Sequence, residues 1–210
     1  MSQEIRAAIL DACRSMAGLG LNAGMSGNIS VRDGGRMIIT PSATPYDLMT
    51  PDDMALVTLG SGESKGRLAP SSEWRFHHDI YVSRPDTGAV VHAHPTYCTA
   101  LAMARRGIPP CHYMVATFGG DDVRCAGYAT FGTAELSALA LEALRDRQAC
   151  LLANHGMIAC GRDLRQAMWR AVELESIARQ YHTSLASGGP VLLSAEDMAA
   201  ATLRFQSYRP

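Results

Sequence analysis

The chain lacks an excess of either charge: 19 basic and 20 acidic residues leave a net charge of −1. Nucleic-acid binders carry a basic footprint, so that class is set aside. Any anionic ligand must be held by a local site rather than by a global field. No apolar run approaches the roughly 18 residues that a membrane span needs. The start, Met1-Ser2-Gln3-Glu4-Ile5, is polar and does not read as a signal peptide. No C-x-x-C pair occurs among Cys13, Cys98, Cys111, Cys125, Cys150 and Cys160, and several of these sit in apolar stretches such as Ala149-Cys150-Leu151-Leu152. Reduced, mostly buried thiols in a cytoplasmic protein are the expectation. Internal repeats, low-complexity stretches and long linkers are missing too, so residues 1–210 read as one domain.

What is present is an ordinary soluble balance, 47% hydrophobic and 19% charged, arranged as alternating helical and strand-like segments. Apolar residues Ile5, Ile9, Ala12, Cys13 and Met16 predict a helix over 3–19, stopped at Gly18-Leu19-Gly20. A strand around 29–32 turns at Asp33-Gly34-Gly35 into a return strand at 37–40. Residues 55–59 form a third strand, and 60–66 a turn that carries Lys65. A helix from Ser71 or Ser72, either a candidate N-cap, runs to about 83. The strand 90–94 and a helix at 96–105 follow. The stretch 108–132 reads as irregular, with strand-like pieces near Tyr113 and Val123. A helix at 133–144, strands at 149–153 and 157–160, and helices at 164–186 and 194–205 complete the chain. The early hairpin makes the sheet at least partly antiparallel. The expected fold is α/β: a single domain with a mixed, mostly antiparallel sheet and helices on both faces.

The chemistry gathers at Val90-Val91-His92-Ala93-His94-Pro95. Residues two apart on a strand share a face, so His92 and His94 offer two nitrogens to one metal, and Pro95 ends the strand. Taken alone, the pair reads equally well as an ordinary half-buried strand. His155 ends another apolar run, Leu151-Leu152-Ala153-Asn154-His155, and would supply a third ligand. His77, His78, His112 and His182 lack such placement and read as structural or solvated. Glu73 follows two serines at a helix start, where a carboxylate is favoured but also commonplace. Three hydroxyl-rich loops, Ser26-Gly27-Asn28, Thr40-Pro41-Ser42 and Ser71-Ser72, could cradle a phosphate with amides and hydroxyls, although each is also an ordinary turn.

Taken in order, Gly24-x-x-Gly27-Asn28-x-Ser30, Thr40-Pro41-Ser42, Ser71-Ser72-Glu73, His92-x-His94-Pro95 and His155-Gly156 resemble the class II aldolase and adducin family. Pro70 to His77, Ile108-Pro109-x-x-His112-Tyr113-Met114 and Tyr128 to Leu136 resemble its branch acting on L-fuculose 1-phosphate. The resemblance implies a zinc enzyme, with Mn²⁺ or Co²⁺ as other candidate ions, in which His92, His94, His155 and Glu73 hold the metal. It implies a phosphate site of Asn28, Ser42, Ser71 and Ser72 with the amides of Gly27 and Ala43. By the same resemblance Tyr113 is catalytic and serves a neighbouring subunit, Phe131 and Tyr208 lie near the distal end of the substrate, and four copies form a tetramer with active sites between subunits. The implied reaction splits a ketose 1-phosphate into dihydroxyacetone phosphate and an aldehyde such as lactaldehyde. Glu73 would return a proton to C3 and Tyr113 would take one from the C4 hydroxyl. No Schiff base is required, in keeping with a chain whose lysine is Lys65 in a Gly/Ser turn.

Two residues depart from the family pattern. Ala43 stands where the family has Gly, so a positive φ there would be strained, and Met25 replaces a smaller polar residue in the first phosphate loop. The rival substrate is 5-deoxyribulose or 5-methylthioribulose 1-phosphate, cleaved with the same residues. A pentulose-phosphate 4-epimerase fits the stretches around Tyr113 and Phe131 less well. An iron oxygenase using two histidines and a carboxylate fits the helical segments poorly. An adducin-like scaffold would have lost the ligand residues that are all present here.

Overall fold

In the computed structural model residues 2–205 are described, and their framework is one twisted sheet. Helix α1 (Ser2–Ser15) leads to β1 (Asn28–Asp33) and β2 (Arg36–Ile39), joined by a tight turn in which Gly34 takes φ 62°. Then come β3 (Ala55–Thr58), β4 (Ser64–Lys65), α2 (Trp74–Ser83), β5 (Ala89–Ala93) and α3 (Thr96–Met103). After a 3₁₀ helix at Tyr113–Phe118 come β6 (Cys125–Ala126), α4 (Ala134–Ala143), β7 (Ala149–Leu152), β8 (Gly156–Gly161), α5 (Leu164–Leu185) and α6 (Ala195–Phe205). The strand order is β4-β3-β2-β1-β5-β8-β7-β6. Every pairing is antiparallel except β6 with β7, so the sheet is mixed and mostly antiparallel, as expected.

Alternation along the strands builds two cores. Val91, Ile38, Leu151 and Met157 face a core shared with α1, α3 and α5, whereas Val90, Ile39, Cys150 and Ile158 face one shared with α2 and α4. Helices therefore cover both faces. Side-chain caps fix two helix starts: Thr133 accepts from the Leu136 N–H at 3.2 Å, and Asp163 from the Gln166 N–H at 2.7 Å.

Three local expectations change. The segment 60–66 is not a free turn, because Ser64 and Lys65 pair with Val57 and Leu56. Neither serine caps α2: Ser71 is drawn into a sheet-like contact, its N–H donating to Thr40 O at 2.9 Å, so the helix begins at Trp74 with Glu73 at the cap. The piece near Tyr113 is helical rather than extended. His112 Nδ1 accepts from the Met114 N–H at its start, and Gly119 closes it at φ 93°.

Candidate metal centre

Strand register brings the site together. Asn28 on β1 lies opposite His92 on β5, and Ala93 lies opposite Met157 on β8. His94 stands one residue beyond β5, and its N–H donates to Asn22 Oδ1 at 2.9 Å. The β7–β8 turn, with Asn154 at φ 55°, swings His155 toward it. Close packing here leaves room only for glycine: a Cβ on Gly156 would stand 2.5 Å from Ala93 O and 2.6 Å from the His94 ring. Likewise a Cβ on Gly27 would stand 2.7 Å from His92 O.

Four donors converge. His92 Nε2 lies 2.9 Å from His94 Nε2 and 3.1 Å from Glu73 Oε2, and His155 Nε2 lies 3.2 Å from Glu73 Oε1. The donor atoms of all four residues fall within 4.8 Å of one another. His92 and Glu73 are buried. His92 Nδ1 is 2.9 Å from Met157 O, and since a carbonyl only accepts, that nitrogen carries the proton. Nε2 is thereby left free to face His94 Nε2 and the Glu73 carboxylate. Burial and the neighbouring imidazoles push His94 down to about 3.

Glu73 is the counterpart. Burial alone would raise its carboxyl, but the His92 and His155 imidazoles beside it outweigh that and hold it far below the usual carboxylate range. Even so, Oε1 makes no hydrogen bond of good geometry. A bare His92 Nε2 facing a carboxylate oxygen at 3.1 Å, and an Oε1 without a well-formed hydrogen bond, are relieved either by a further ring proton or by one cation. Donors at about 2.0–2.1 Å around a tetrahedral ion stand roughly 3.3 Å apart, close to the separations found here. The residues fit a divalent ion.

The hydroxyl loops adjoin this centre. Ser42 N–H donates to Ala69 O at 3.1 Å and Thr40 N–H to Ile29 O at 3.1 Å, so the loops at Asn28, Ser42 and Ser71 are tied together. Asn28 Nδ2 donates to Glu73 Oε2 at 3.1 Å, and the Glu73 N–H to Ser71 Oγ at 3.2 Å. Ser42, Ala43 and Ser72 are exposed, and Ala43 has φ 50°, the strained value anticipated for a residue in place of glycine. A cavity of about 300 Å³ opens over the cluster, lined by Ser72, Glu73, His94, Tyr128, Phe131 and His155 among others.

The structure does not bring Tyr113 to this cavity. The residue is 54% exposed, and its ring stacks on Phe205 at 6.2 Å beside a separate hollow lined by Met114, Ala201 and Arg204. Tyr208 lies outside the described residues. Sequence reasoning missed two buried neighbours of the site. Asn22 has no local signal. His77, placed among structural or solvated histidines, is fully buried with a ring nitrogen 2.5 Å from Asn28 Oδ1, and burial pushes it down to about 3.

A profile of the Class II Aldolase and Adducin N-terminal domain matches residues 7–182. The chain belongs to this family. This class II aldolase chain is 50% identical to a 5-methylthioribulose-1-phosphate/5-deoxyribulose-1-phosphate aldolase of Rhodospirillum rubrum, over 97% of its own length and 92% of the relative's. It is 47% identical to an L-fuculose phosphate aldolase of Escherichia coli K12, over 95% and 93%. A solved structure of L-fuculose 1-phosphate aldolase superposes with TM-score 0.93 at 36% identity, covering 97% of this chain and 96% of that one. The class II aldolase fold and a cluster suited to a divalent metal are thus in hand. Among the described residues no helix is long and apolar enough to cross a membrane.

Proposed function

We propose that this aldolase reversibly cleaves a ketose 1-phosphate of the L-fuculose 1-phosphate type to dihydroxyacetone phosphate and an aldehyde such as lactaldehyde. The observation that carries the reading is the convergence of His92, His94, His155 and Glu73 beside three mutually tied hydroxyl loops. Three imidazoles and one carboxylate suit Zn²⁺, with Mn²⁺ or Co²⁺ as substitutes. A divalent ion there supplies a Lewis acid for the negative charge that develops as the carbon–carbon bond breaks.

The chain's own residues do the rest. Gly27, Asn28, Ser42, Ala43, Ser71 and Ser72 hold the phosphate through amides and hydroxyls, which suits a chain of net charge −1. Glu73 moves a proton at C3 of the substrate through a carboxylate oxygen. Tyr113 removes the C4 hydroxyl proton through its phenolic oxygen. Its exposure, away from the cavity of its own subunit, suits service to a neighbour's site in a homotetramer. Phe131 lines the cavity and meets the aldehyde end, with Tyr208 assigned to the same region. Lys65 sits on the β4 edge strand, far from a role as an electron sink.

A second substrate has its own support. The Rhodospirillum rubrum relative carries the 5-methylthioribulose name, and Tyr128, Ala129 and Phe131 give the cavity an apolar wall that suits a sulfur-bearing or deoxy tail. Measuring kcat/KM on L-fuculose 1-phosphate and on 5-methylthioribulose 1-phosphate separates the two. The proposal expects the former to be turned over better. A large preference for the latter reassigns the aldehyde, and failure to release dihydroxyacetone phosphate from either defeats both readings.

A further inference from the structure

Behind the converging donors runs a line of buried polar side chains that no sequence pattern announces. His77 is fully enclosed on α2, with Ser30 Oγ 2.7 Å from Nδ1 and Asn28 Oδ1 2.5 Å from Nε2. Ser30 Oγ lies 2.9 Å from the hydroxyl of Tyr81, one helical turn further along. At the other end Asn28 Nδ2 reaches Glu73 Oε2 at 3.1 Å. The line runs Tyr81, Ser30, His77, Asn28, Glu73, crossing four times between β1 and the α2 segment.

Donor and acceptor chemistry gives this line one direction. An ionised carboxylate only accepts, so Asn28 must turn its NH₂ toward Glu73 and its carbonyl toward His77. That carbonyl also only accepts, so His77 Nε2 must carry the ring proton. Nδ1 of the neutral ring is then an acceptor for the Ser30 hydroxyl, and the Tyr81 hydroxyl donates to Ser30. The other tautomer would aim a lone pair from Nε2 at Asn28. The amide would have to turn over, and its carbonyl would face the Glu73 carboxylate at hydrogen-bond distance in a buried setting, which is costly.

We infer that His77 is a positioning residue of the metal centre: held as the Nε2–H tautomer by Ser30 and Tyr81, it locks the Asn28 amide and thereby fixes the Glu73 carboxylate. The inference rests on the reading of Glu73 as a metal-centre carboxylate. Groups behind the ligands of a metal site typically alter affinity by about 10–100-fold when removed.

The first test uses the unaltered protein. Nitrogen NMR of ¹⁵N-histidine-labelled, Zn²⁺-loaded protein reads the His77 tautomer directly, with His77→Gln to assign its signals. A proton on Nε2 and a bare Nδ1 are expected; a proton on Nδ1, or on both nitrogens, overturns the inference. The second test compares His77→Gln, whose amide can donate to Asn28 and accept from Ser30, with His77→Leu, which fills space but does neither. In a chelator competition with Co²⁺, the Leu variant should bind about 10–100-fold more weakly and shift the visible spectrum, while the Gln variant stays near wild type. Equal affinities in all three proteins, or equal losses in both variants, overturn it. Should His77→Leu fail to fold, the tautomer and the Gln variant decide. Neither readout depends on the sugar: an Nε2–H ring in a protein that cleaves no ketose phosphate would refute the functional reading and leave His77's role standing.

Discussion

At the scale of single residues, the centre sets a carboxylate against imidazole nitrogens, an arrangement that one cation would satisfy. With Nδ1 of His92 committed to Met157 O, its Nε2 faces Glu73 Oε2 at 3.1 Å, and both residues are buried away from water that could relieve the contact. Strain of another kind sits at Ala43, in the loop proposed to hold phosphate. Its φ of 50° costs a Cβ-bearing residue about 1–2 kcal/mol, while glycine would bring about 0.5–1 kcal/mol of extra unfolded-state entropy. Ala43→Gly should therefore stabilise slightly, raising Tm by roughly 1–4 °C in a chain of this size. A drop in Tm on calorimetry would show that the turn prefers alanine for reasons outside its backbone angle.

At the scale of elements, short connections carry the precision. The β7–β8 turn delivers His155 only because Gly156 lets the chain pass against Ala93 and His94. Gly156→Ala should cost about 1–3 kcal/mol in denaturant titration by overpacking, and should weaken metal binding in the same protein. Unchanged binding would mean that the turn can shift without disturbing His155. Ahead of β3, Asp53 is buried and held by the Thr50 N–H at 2.8 Å, by Arg67 Nε at 2.9 Å and by the Thr50 hydroxyl at 2.7 Å. The Thr50 amide, then Arg67 and the Thr50 hydroxyl, hold its carboxyl below the ordinary 3.8. With the folded value depressed, its stabilisation is complete above that ordinary value and disappears as pH falls through the folded one. Asp53→Asn should cost about 1–2 kcal/mol at neutral pH, with the gap to wild type closing in acid. A gap independent of pH would contradict this.

The same scale explains what could be read from residues alone. The clustered histidines are legible because alternate strand positions share a face and because His155 ends an apolar run. The helices covering the sheet are legible from their period. His77 and Asn22 are not, because their meaning lies in register and burial: β1 must pair with β5 before Asn28 meets Glu73, and α2 must dock before His77 meets Asn28. The 3₁₀ helix at Tyr113–Phe118 is hidden because Val115 and Phe118 are buried, so their apolar character resembles a strand.

For the whole molecule, two cores on opposite faces of one sheet set a rigid floor beneath the centre, and Phe76 of the α2 side packs against the His92 ring at 5.3 Å. A metal bound by donors from β5, the β7–β8 turn and the start of α2 should tie these parts together. At about a thousand times its Kd it would stabilise the fold by about 4 kcal/mol and raise Tm by roughly 8–16 °C, an increment that a chelator should remove. A Tm indifferent to both would mean no ion binds the folded state. The most direct measurement is dihydroxyacetone phosphate release from L-fuculose 1-phosphate and 5-methylthioribulose 1-phosphate by metal-stripped protein, before and after one equivalent of Zn²⁺, with His155→Ala alongside. Activity that is absent when stripped, restored at one ion per chain and lost in His155→Ala is the expected result. Equal release by stripped, restored and His155→Ala proteins, or none from any of them, would contradict a metal-dependent ketose-phosphate aldolase.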